Sequence, residues 1–201
     1  MRRIILIFFV LWPISLHADL NFNYGSGIAA KTDYAERSLI TSMEKVGDRI
    51  YAVGVHGIII FSDDDGETWT QASYVPYQNT ITDISCTNEN MCWATGHDAT
   101  ILHSSDGGLN WVKQYDDYDF DAPLLSIHMY DDKEGIAIGA FALSLRTSNG
   151  GESWDYLFLD DDDYQPHLNY VYGDNQAWRK SAKDEGYAVG EIGKYYISDD
   201  R

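Results

Sequence analysis

The segment Ser62-Asp63-Asp64-Asp65-Gly66-Glu67-Thr68-Trp69 decides the fold of this chain, because its pattern recurs twice downstream. The second and third copies are Ser104-Ser105-Asp106-Gly107-Gly108-Leu109-Asn110-Trp111 and Thr147-Ser148-Asn149-Gly150-Gly151-Glu152-Ser153-Trp154. They begin 42 and then 43 residues after the copy before them, and a fourth copy begins at Ser198-Asp199-Asp200. A fixed period in this range is typical of β-propellers, in which each repeat forms one four-stranded blade.

The shared pattern, [Ser/Thr]-x-[Asp/Asn]-x-Gly-x-[Thr/Asn/Ser]-Trp, suits a tight turn between two strands. Hydroxyl, carboxylate and amide oxygens accept backbone N–H groups inside such a turn, glycine adopts positive φ, and tryptophan buries a large surface beneath it. The alternative is a carboxylate cluster that binds metal or catalyses a reaction. We favour the turn, because each Asp belongs to its own blade and the third copy has Asn149 instead. The positions with this structural role are Ser62, Asp64, Gly66, Thr68, Trp69, Ser104, Asp106, Gly108, Asn110, Trp111, Thr147, Asn149, Gly151, Ser153, Trp154, Ser198 and Asp200.

The repeat extends beyond this turn. A glycine that ends a short apolar run stands eight residues before each Ser or Thr, as in Tyr51-Ala52-Val53-Gly54 and Trp93-Ala94-Thr95-Gly96. Such runs indicate buried second strands, and the inner strands of the blades are expected at 39–43, 80–85, 124–129 and 168–172. The sequence therefore predicts an all-β propeller of four-stranded antiparallel blades.

The turn pattern resembles the Asp-box, or bacterial neuraminidase repeat. With Glu-Gly-Tyr-Ala-Val-Gly at 185–190 and Asp-Gly-Gly-x-x-Trp at 106–111, the repeat is most similar to the photosystem II stability/assembly-factor-like family of exported propellers. The resemblance covers residues 39–201. It implies a protein-binding or assembly scaffold without enzymatic activity, and it does not by itself imply a photosynthetic partner.

The start of the chain is typical of an export signal. Arg2 and Arg3 precede an apolar run at 4–16, and Ala18 provides a small residue for cleavage before Asp19. The run is shorter than the roughly 20 residues that a membrane-spanning helix needs, and an uncleaved anchor is the alternative. We expect a signal peptide at 1–18, a periplasmic or secreted protein, and no integral membrane segment after cleavage.

The remaining chain divides into a leader segment at 19–38 and a partial β-propeller at 39–201. Its blades are expected at about 39–75, 80–115, 124–159 and 168–201, which amounts to about 3.75 blades. Because Asp-box propellers generally have six or more blades, we expect a fragment of a six- or seven-bladed propeller. A four-bladed ring is the alternative.

Two cysteines, Cys86 and Cys92, lie at the end of one expected strand and the start of the next. A hairpin would bring them close enough for a disulfide, which an oxidising compartment favours. A redox-active pair is the alternative, although the spacing is not Cys-x-x-Cys.

Acidic segments join the expected blades. They are Asp116, Asp117, Tyr118, Asp119, Phe120 and Asp121, and Asp160, Asp161, Asp162, Asp163 and Tyr164. These connections should lie opposite the Asp-boxes, where acidic and aromatic side chains could bind a protein with a basic surface. A solvated acidic surface and calcium binding are the alternatives, and the net charge of −18 disfavours nucleic acid.

No residue is assigned to catalysis, to a metal or to a cofactor. His56, His97 and Asp98 are expected on the same face as the acidic connections, but their spacing is a weak signal for zinc. The competing function is a sialidase-like glycoside hydrolase or a carbohydrate-binding propeller, with glycan as ligand and active residues in further blades. Sialidases hold a substrate carboxylate with three arginines, and none of Arg37, Arg49, Arg146, Arg179 or Arg201 has the Arg-Ile-Pro or Arg-Leu-Pro context of that family's first arginine.

Overall fold

Each repeat of the sequence folds into one antiparallel sheet whose strands follow one another along the chain. The computed structural model describes residues 27–117, 119–120, 122–157, 165–173, 186–191 and 194–198. Within these ranges the chain forms fifteen strands in four sheets. This arrangement confirms the all-β propeller with antiparallel blades that the Asp-box spacing predicts.

The strands of the first two blades are β1 Ile40–Val46, β2 Arg49–Gly54, β3 Ile59–Ser62 and β4 Thr70–Gln71, then β5 Ile81–Cys86, β6 Cys92–Gly96, β7 Ile101–Ser104 and β8 Val112–Tyr115. The third blade has β9 Leu124–Met129, β10 Gly135–Gly139, β11 Ser144–Thr147 and β12 Asp155–Tyr156, and the fourth has β13 Leu168–Gly173, β14 Gly186–Gly190 and β15 Tyr195–Ser198. Strand β1 continues beyond the expected 39–43, because Lys45 and Val46 pair with Ile50 and Arg49 across the hairpin.

The first residues of the inner strands share a shift in register with the second strands. Ile40 pairs with Gly54 and Ser42 pairs with Val53, which leaves one extra residue between them. The same irregularity follows Ile81 in the second blade and Leu168 in the fourth. A repeated β-bulge is a built feature of the blade, and it places residues of different blades in equivalent positions.

The core lies between neighbouring sheets. In β2, Tyr51 and Val53 face the second blade, whereas Ala52 faces the opposite way, as the period of two in a strand requires. A second cluster, centred on Trp93 and Leu124, joins the second and third blades. The apolar side chains of one blade are therefore buried by the neighbouring blade.

Residues 27–38 lie against the first blade. The side chain of Gln71 in β4 accepts a hydrogen bond from Thr32 N and donates one to Ala30 O, at 3.0 and 2.9 Å. The 3-10 helix Ala35–Arg37 buries Ala35 on the sheet, and two further 3-10 turns, Val55–Gly57 and Ala140–Ala142, follow second strands. Among the residues that the structure describes, none of the helices has the length and apolarity that crossing a bilayer would need.

Candidate functional site

The first Asp-box closes a turn in which its polar groups bond to one another. Ser62 Oγ accepts a hydrogen bond from Gly66 N at 2.8 Å and lies 2.7 Å from Asp64 Oδ1. The carboxylate of Asp64 accepts bonds from the Thr68 hydroxyl at 2.6 Å and from Thr68 N at 2.8 Å. These bonds, with the Thr68 hydroxyl first, lower the pKa of Asp64 to about 2. Asp64 is therefore an ionised turn residue whose oxygens are already occupied.

The second and third boxes repeat this geometry with different chemical groups. Asp106 accepts from Asn110 N at 2.9 Å and from Asn110 Nδ2 at 2.8 Å. In the third box, Asn149 Oδ1 accepts from Ser153 N at 3.0 Å, and Asn149 Nδ2 donates to Ser153 Oγ at 3.0 Å. Because a neutral amide fills the place of the carboxylate, the turn needs an acceptor there and does not need a charge. Ser198 is described only through its backbone, and Asp200 lies outside the described residues.

The tryptophan of the box packs beneath the turn. Trp111 is fully buried and donates from Nε1 to Gly108 O at 3.0 Å, and Trp154 is 7% exposed. Trp69, in the first blade, is only partly buried. The boxes therefore contribute packing and turn closure at one face of the molecule.

Cys86 and Cys92 form a disulfide at the hairpin between β5 and β6. The two residues also pair across the strands, with their Cα atoms 4.1 Å apart. The bond lies on the hairpin side of the second blade, next to the first blade, where Cys86 N donates to Glu44 Oε2 at 2.6 Å. Both half-cystines are buried, which suits a structural bond.

The opposite face is built by the turns after the second strands and by the connections between blades. Gly57 N donates to Asn79 O at 2.8 Å, and His97 N donates to Thr80 O at 3.3 Å, so one connection contacts the turns of two blades. His56 and Asp98 occupy equivalent left-handed positions, with φ of 58° and 55°. An open cavity of about 410 Å³ lies between these turns. Its lining consists of His56, Gln78, Asn79, Thr80, His97 and Asp98.

The sequence offered His56, His97 and Asp98 only as a weak signal for zinc, and the carboxylate of Asp98 is bonded locally. Asp98 Oδ2 accepts from Asn79 Nδ2 at 2.8 Å. Within the described ranges, no group of three or more His, Cys, Asp or Glu side chains has an arrangement that could hold a metal ion.

The first acidic connection is partly paired. Asp116 forms an ion pair with Lys113 at 2.8 Å, and Asp117 accepts from Tyr156 Oη at 2.7 Å and from Phe120 N at 3.2 Å. Asp117 N donates to Asp98 O, which fixes the connection beside the β6–β7 turn. Of this segment, Asp116, Asp119 and Phe120 are exposed. Tyr118, Asp121, Asp160, Asp161, Asp162, Asp163 and Tyr164 lie outside the described residues.

A polar network along the inner strands was not anticipated from the sequence. Asp83 Oδ1 accepts from Ser42 Oγ at 2.7 Å, while Oδ2 accepts from Ser126 Oγ at 2.8 Å and from Ile127 N at 3.0 Å. One carboxylate thus joins the inner strands of three blades. The available signal was the recurrence of short polar residues at equivalent positions, since Ser42, Asp83 and Ser126 are 41 and 43 residues apart.

Glu44 extends this network. Burial raises the pKa of Glu44 to about 7, the hydrogen bond from Cys86 N opposes the shift, and the nearby charge of Asp83 adds to it. Carboxyl groups with raised pKa values occur at catalytic sites but also in structural networks. Here the Glu44 carboxylate bonds to the backbone of the next blade, which indicates a structural contact.

The arginines that the structure describes lie in separate parts of the fold, and the sequence gives none of them the context of a sialidase arginine. Arg49 forms a two-pronged ion pair with Asp63, with bonds of 2.6 and 2.8 Å, and this hydrogen bonding holds the pKa of Arg49 above its usual range. Arg37 lies over the ring of Tyr34 in the leader, and Arg146 is exposed on β11 of the third blade. These three side chains are thus bound to different parts of the fold. Arg179 and Arg201 fall outside the described residues.

Comparison with known proteins gives a family match. The family model described as Photosynthesis system II assembly factor YCF48 matches residues 71–177. A curated relative, the Photosystem II assembly lipoprotein Ycf48 of Synechococcus sp. (strain CC9902), is 26% identical over 151 residues, which cover 74% of this chain and 42% of the relative.

Solved structures share the fold at low sequence identity. YCF48 bound to D1 peptide superposes with a TM-score of 0.61 at 20% identity, covering 81% of this chain and 51% of that one. YCF48 from Cyanidioschyzon merolae has a TM-score of 0.60 at 16% identity and coverages of 80% and 53%. An ancestral GH74 enzyme reaches a TM-score of 0.62 at 16% identity, covering 81% of this chain and 23% of its own. The chain thus spans about half the length of the YCF48 proteins it matches.

Proposed function

The chain belongs to the photosynthesis system II assembly factor YCF48 family, and from this membership we propose that it is a non-enzymatic scaffold that binds another protein. The family match across residues 71–177 is the observation that carries the proposal. The ancestral GH74 enzyme shares the fold at 16% identity, and a shared propeller fold does not imply a shared activity.

The bonding of the box carboxylates supports a scaffold over a hydrolase. A glycosidase of the common type needs two carboxyl groups that flank the scissile bond, one of them free to act as nucleophile or base. Asp64 and Asp106 are instead bonded within their own turns. Glu44 bonds to a backbone N–H of the neighbouring blade, so it serves the packing of blades.

We propose that the partner docks on the face opposite the Asp-boxes and presents a basic segment. One solved relative is a YCF48 protein bound to a peptide, which favours a peptide-like ligand. The present chain has a net charge of −18, and exposed Asp119 and Phe120 lie beside the cavity-lining turn at Asp98. Acidic groups steer a basic partner, and an exposed aromatic ring provides an anchor.

We also propose that the chain is exported through the signal at 1–18. The curated relative is a lipoprotein, whereas the two cysteines of this chain are joined in the Cys86–Cys92 disulfide. A lipid attached to a cysteine thiol is therefore not the expected anchor. Expression of the full chain in a bacterium, followed by fractionation and N-terminal sequencing, should yield a periplasmic protein that begins at Asp19. Recovery with Met1 intact in the membrane fraction would contradict this proposal.

The binding function is tested with a peptide of Lys, Arg and one Trp and with an acidic peptide of the same length. We expect the purified chain to bind the basic peptide, with affinity that falls as salt rises, and Asp119→Lys to weaken binding severalfold. Glu67→Lys is the matched control, because it changes the net charge equally at an exposed position in the first Asp-box. Equal losses in both variants would place the site elsewhere. Hydrolysis of glycosides, or binding of glycans alone, would overturn the scaffold.

A further inference from the structure

The open cavity between the first two blades, which we term the turn cavity, is lined by three segments of the chain. His56 belongs to the turn after β2, His97 and Asp98 belong to the turn after β6, and residues 78–80 belong to the connection between the blades. Its volume of about 410 Å³ lies in the range of small-ligand sites. The six lining residues are all polar, so the cavity suits a polar or charged group.

Hydrogen bonds fix the backbone around the turn cavity. Tyr77 Oη donates to His97 O at 3.0 Å, and Asp117 N donates to Asp98 O at 3.2 Å. A Cβ on Gly57 would lie 2.1 Å from Tyr77 O, so the connection passes close against the turn of the first blade. The walls of the cavity are therefore held in place before a ligand arrives, which lowers the conformational cost of binding.

The residue at the tip of the turn differs between blades, although the backbone conformation is the same. His56, Asp98 and Phe141 occupy equivalent positions, with φ of 58°, 55° and 56°. Such a backbone favours glycine, asparagine and aspartate, and it does not require the bulky ring of Phe141, which is 50% exposed. Residues held in such conformations cluster at ligand-binding sites. Each blade thus presents a different chemical group on this face, and the second blade presents a carboxylate.

Asp98 is the charged acceptor of the turn cavity. Its Oδ2 accepts a hydrogen bond from Asn79 Nδ2 at 2.8 Å, and a carboxylate can accept further donors on both oxygens. The ion pairs among the described residues use other carboxylates, those of Glu36, Asp63, Asp65 and Asp116. Within the described ranges, the Asp98 carboxylate is therefore available to a cation from outside the chain.

A guanidinium group matches the acceptors of the turn cavity. It carries five N–H donors in one plane and binds a carboxylate through two parallel hydrogen bonds. Besides Asp98, the lining offers the amide oxygen of Gln78 and the hydroxyl of Thr80 as acceptors. An ammonium group is compact and strongly hydrated, and it has only three donors. Arginine therefore fits this lining better than lysine does.

We propose that the turn cavity binds one arginine side chain of the partner, with Asp98 as its charged acceptor. This inference rests on the proposed function, because it assigns one basic residue of the docked segment to a defined place. The bond from Asp117 N to Asp98 O sets the connection that carries exposed Asp119 and Phe120 beside the cavity. A segment whose arginine enters the cavity can therefore contact both of these side chains with its neighbouring residues.

A double-mutant cycle between the chain and a peptide tests the proposal. The probe is the peptide of Lys, Arg and one Trp, whose arginines are replaced one at a time by citrulline, which keeps the shape of the side chain and removes its charge. In the chain, Asp98→Asn removes the acceptor charge, and asparagine adopts the same left-handed backbone. Dissociation constants are measured by calorimetry at pH 8, where imidazole groups are neutral.

We expect Asp98→Asn to weaken binding of the unmodified peptide about tenfold, because a hydrogen-bonded charge pair is lost. Citrulline at one position should weaken binding to the wild type to a similar extent and should have little further effect in Asp98→Asn. Citrulline at the other positions should cause the same relative loss in both chains. Gln78→Lys is a second variant, which places an ammonium group in the cavity and should weaken binding similarly.

Asp65→Asn is the matched control. Asp65 has φ of 56° in the first Asp-box, so the same substitution removes the same charge from the same backbone conformation on the opposite face. Peptide binding in which no arginine is coupled to Asp98, or in which Asp65→Asn causes an equal loss, would overturn the arginine site and leave the scaffold standing. A wild-type chain that does not bind the basic peptide would overturn both.

Discussion

The Asp-box turns and the inner strands both carry polar residues at the period of the repeat, yet their bonds run in different directions. In the box, Ser62 bonds residues two and four positions away. On the inner strands, Asp83 bonds residues 41, 43 and 44 positions away. Period alone therefore does not tell whether a polar residue stabilises its own blade or the contact between blades.

Replacing Asp83 with alanine should give the largest loss. Ser42, Ser126 and Ile127 N would lose the carboxyl acceptor that they share, and each hydrogen bond to such a group contributes about 1.5–3 kcal/mol before relaxation. We expect the free energy of unfolding to fall by about 3–4 kcal/mol in urea titrations. Asp119→Ala, at an exposed carboxylate, should change it by less than about 0.5 kcal/mol. Similarly small changes in the free energy of unfolding in both variants would show that the Asp83 bonds contribute little to the contact between blades.

Glu44→Gln should stabilise the fold at pH 8 and leave it nearly unchanged at pH 4.5. The pKa of Glu44 in the folded protein is about 7, above its ordinary value of 4.5. The wild type therefore loses stability from this group as pH rises from 4.5 through 7, and a neutral amide avoids that loss. The gain above pH 8 should be about 2–3 kcal/mol. Urea titrations at pH 4.5 and pH 8 measure this gain, with Glu67→Gln as the exposed control. An equal gain at both pH values would show that the ionisation of Glu44 is not its cause.

Removing the disulfide by Cys86→Ala and Cys92→Ala together should lower the free energy of unfolding by about 2 kcal/mol, because the bond closes a short loop. The disulfide also fixes the end of the hairpin, where Cys86 N donates a hydrogen bond to Glu44 Oε2. Because that bond opposes the rise in the pKa of Glu44, weakening it in the double variant should widen the difference in the free energy of unfolding between pH 4.5 and pH 8. An unchanged pH dependence would show that the two features act separately.

Ser104→Ala tests the box turn and should have the smallest effect. Ser104 is 1% exposed, and its Oγ accepts a hydrogen bond from Gly108 N at 3.0 Å. In the alanine variant the buried Gly108 N–H would lose this acceptor. We expect a loss of about 1–2 kcal/mol. Ser105→Ala, at the exposed neighbouring position of the same box, is the control and should be neutral within about 0.5 kcal/mol. A larger loss of unfolding free energy in Ser104→Ala than in Asp83→Ala would show that the box turns stabilise the fold more than the Asp83 bonds between blades do.

The sequence predicted the propeller and its antiparallel blades because local chemistry specifies them. A glycine at the end of each second strand and a hydroxyl at the first position of each box are visible in the order of residues, and the bonds they make span only a few positions. The pairing of Cys86 with Cys92 across a hairpin is likewise a contact between residues that are close in the sequence.

The remaining contacts depend on how one blade sits against the next. Asp117 was expected in an acidic connection that could bind a basic partner, and its bond from Tyr156, which is 39 residues away, was not foreseen. Whether such groups meet depends on the angle between sheets, which no short segment determines. The role of the acidic connections in binding a partner stays a prediction.

The bond from Val171 N to Ser126 Oγ carries the inner-strand network from the third blade into the fourth. Arrays of repeats unfold independently when the coupling between neighbours is weak, and as one unit when it is strong. Asp83 and Ser126 bond neighbouring blades to each other at their inner strands. Opening one blade therefore also breaks bonds to the next blade, which raises the free energy of that opening. Amide hydrogens on the inner strands should then exchange only through global unfolding, while those on the two-residue outer strands β4 and β12 exchange through local fraying.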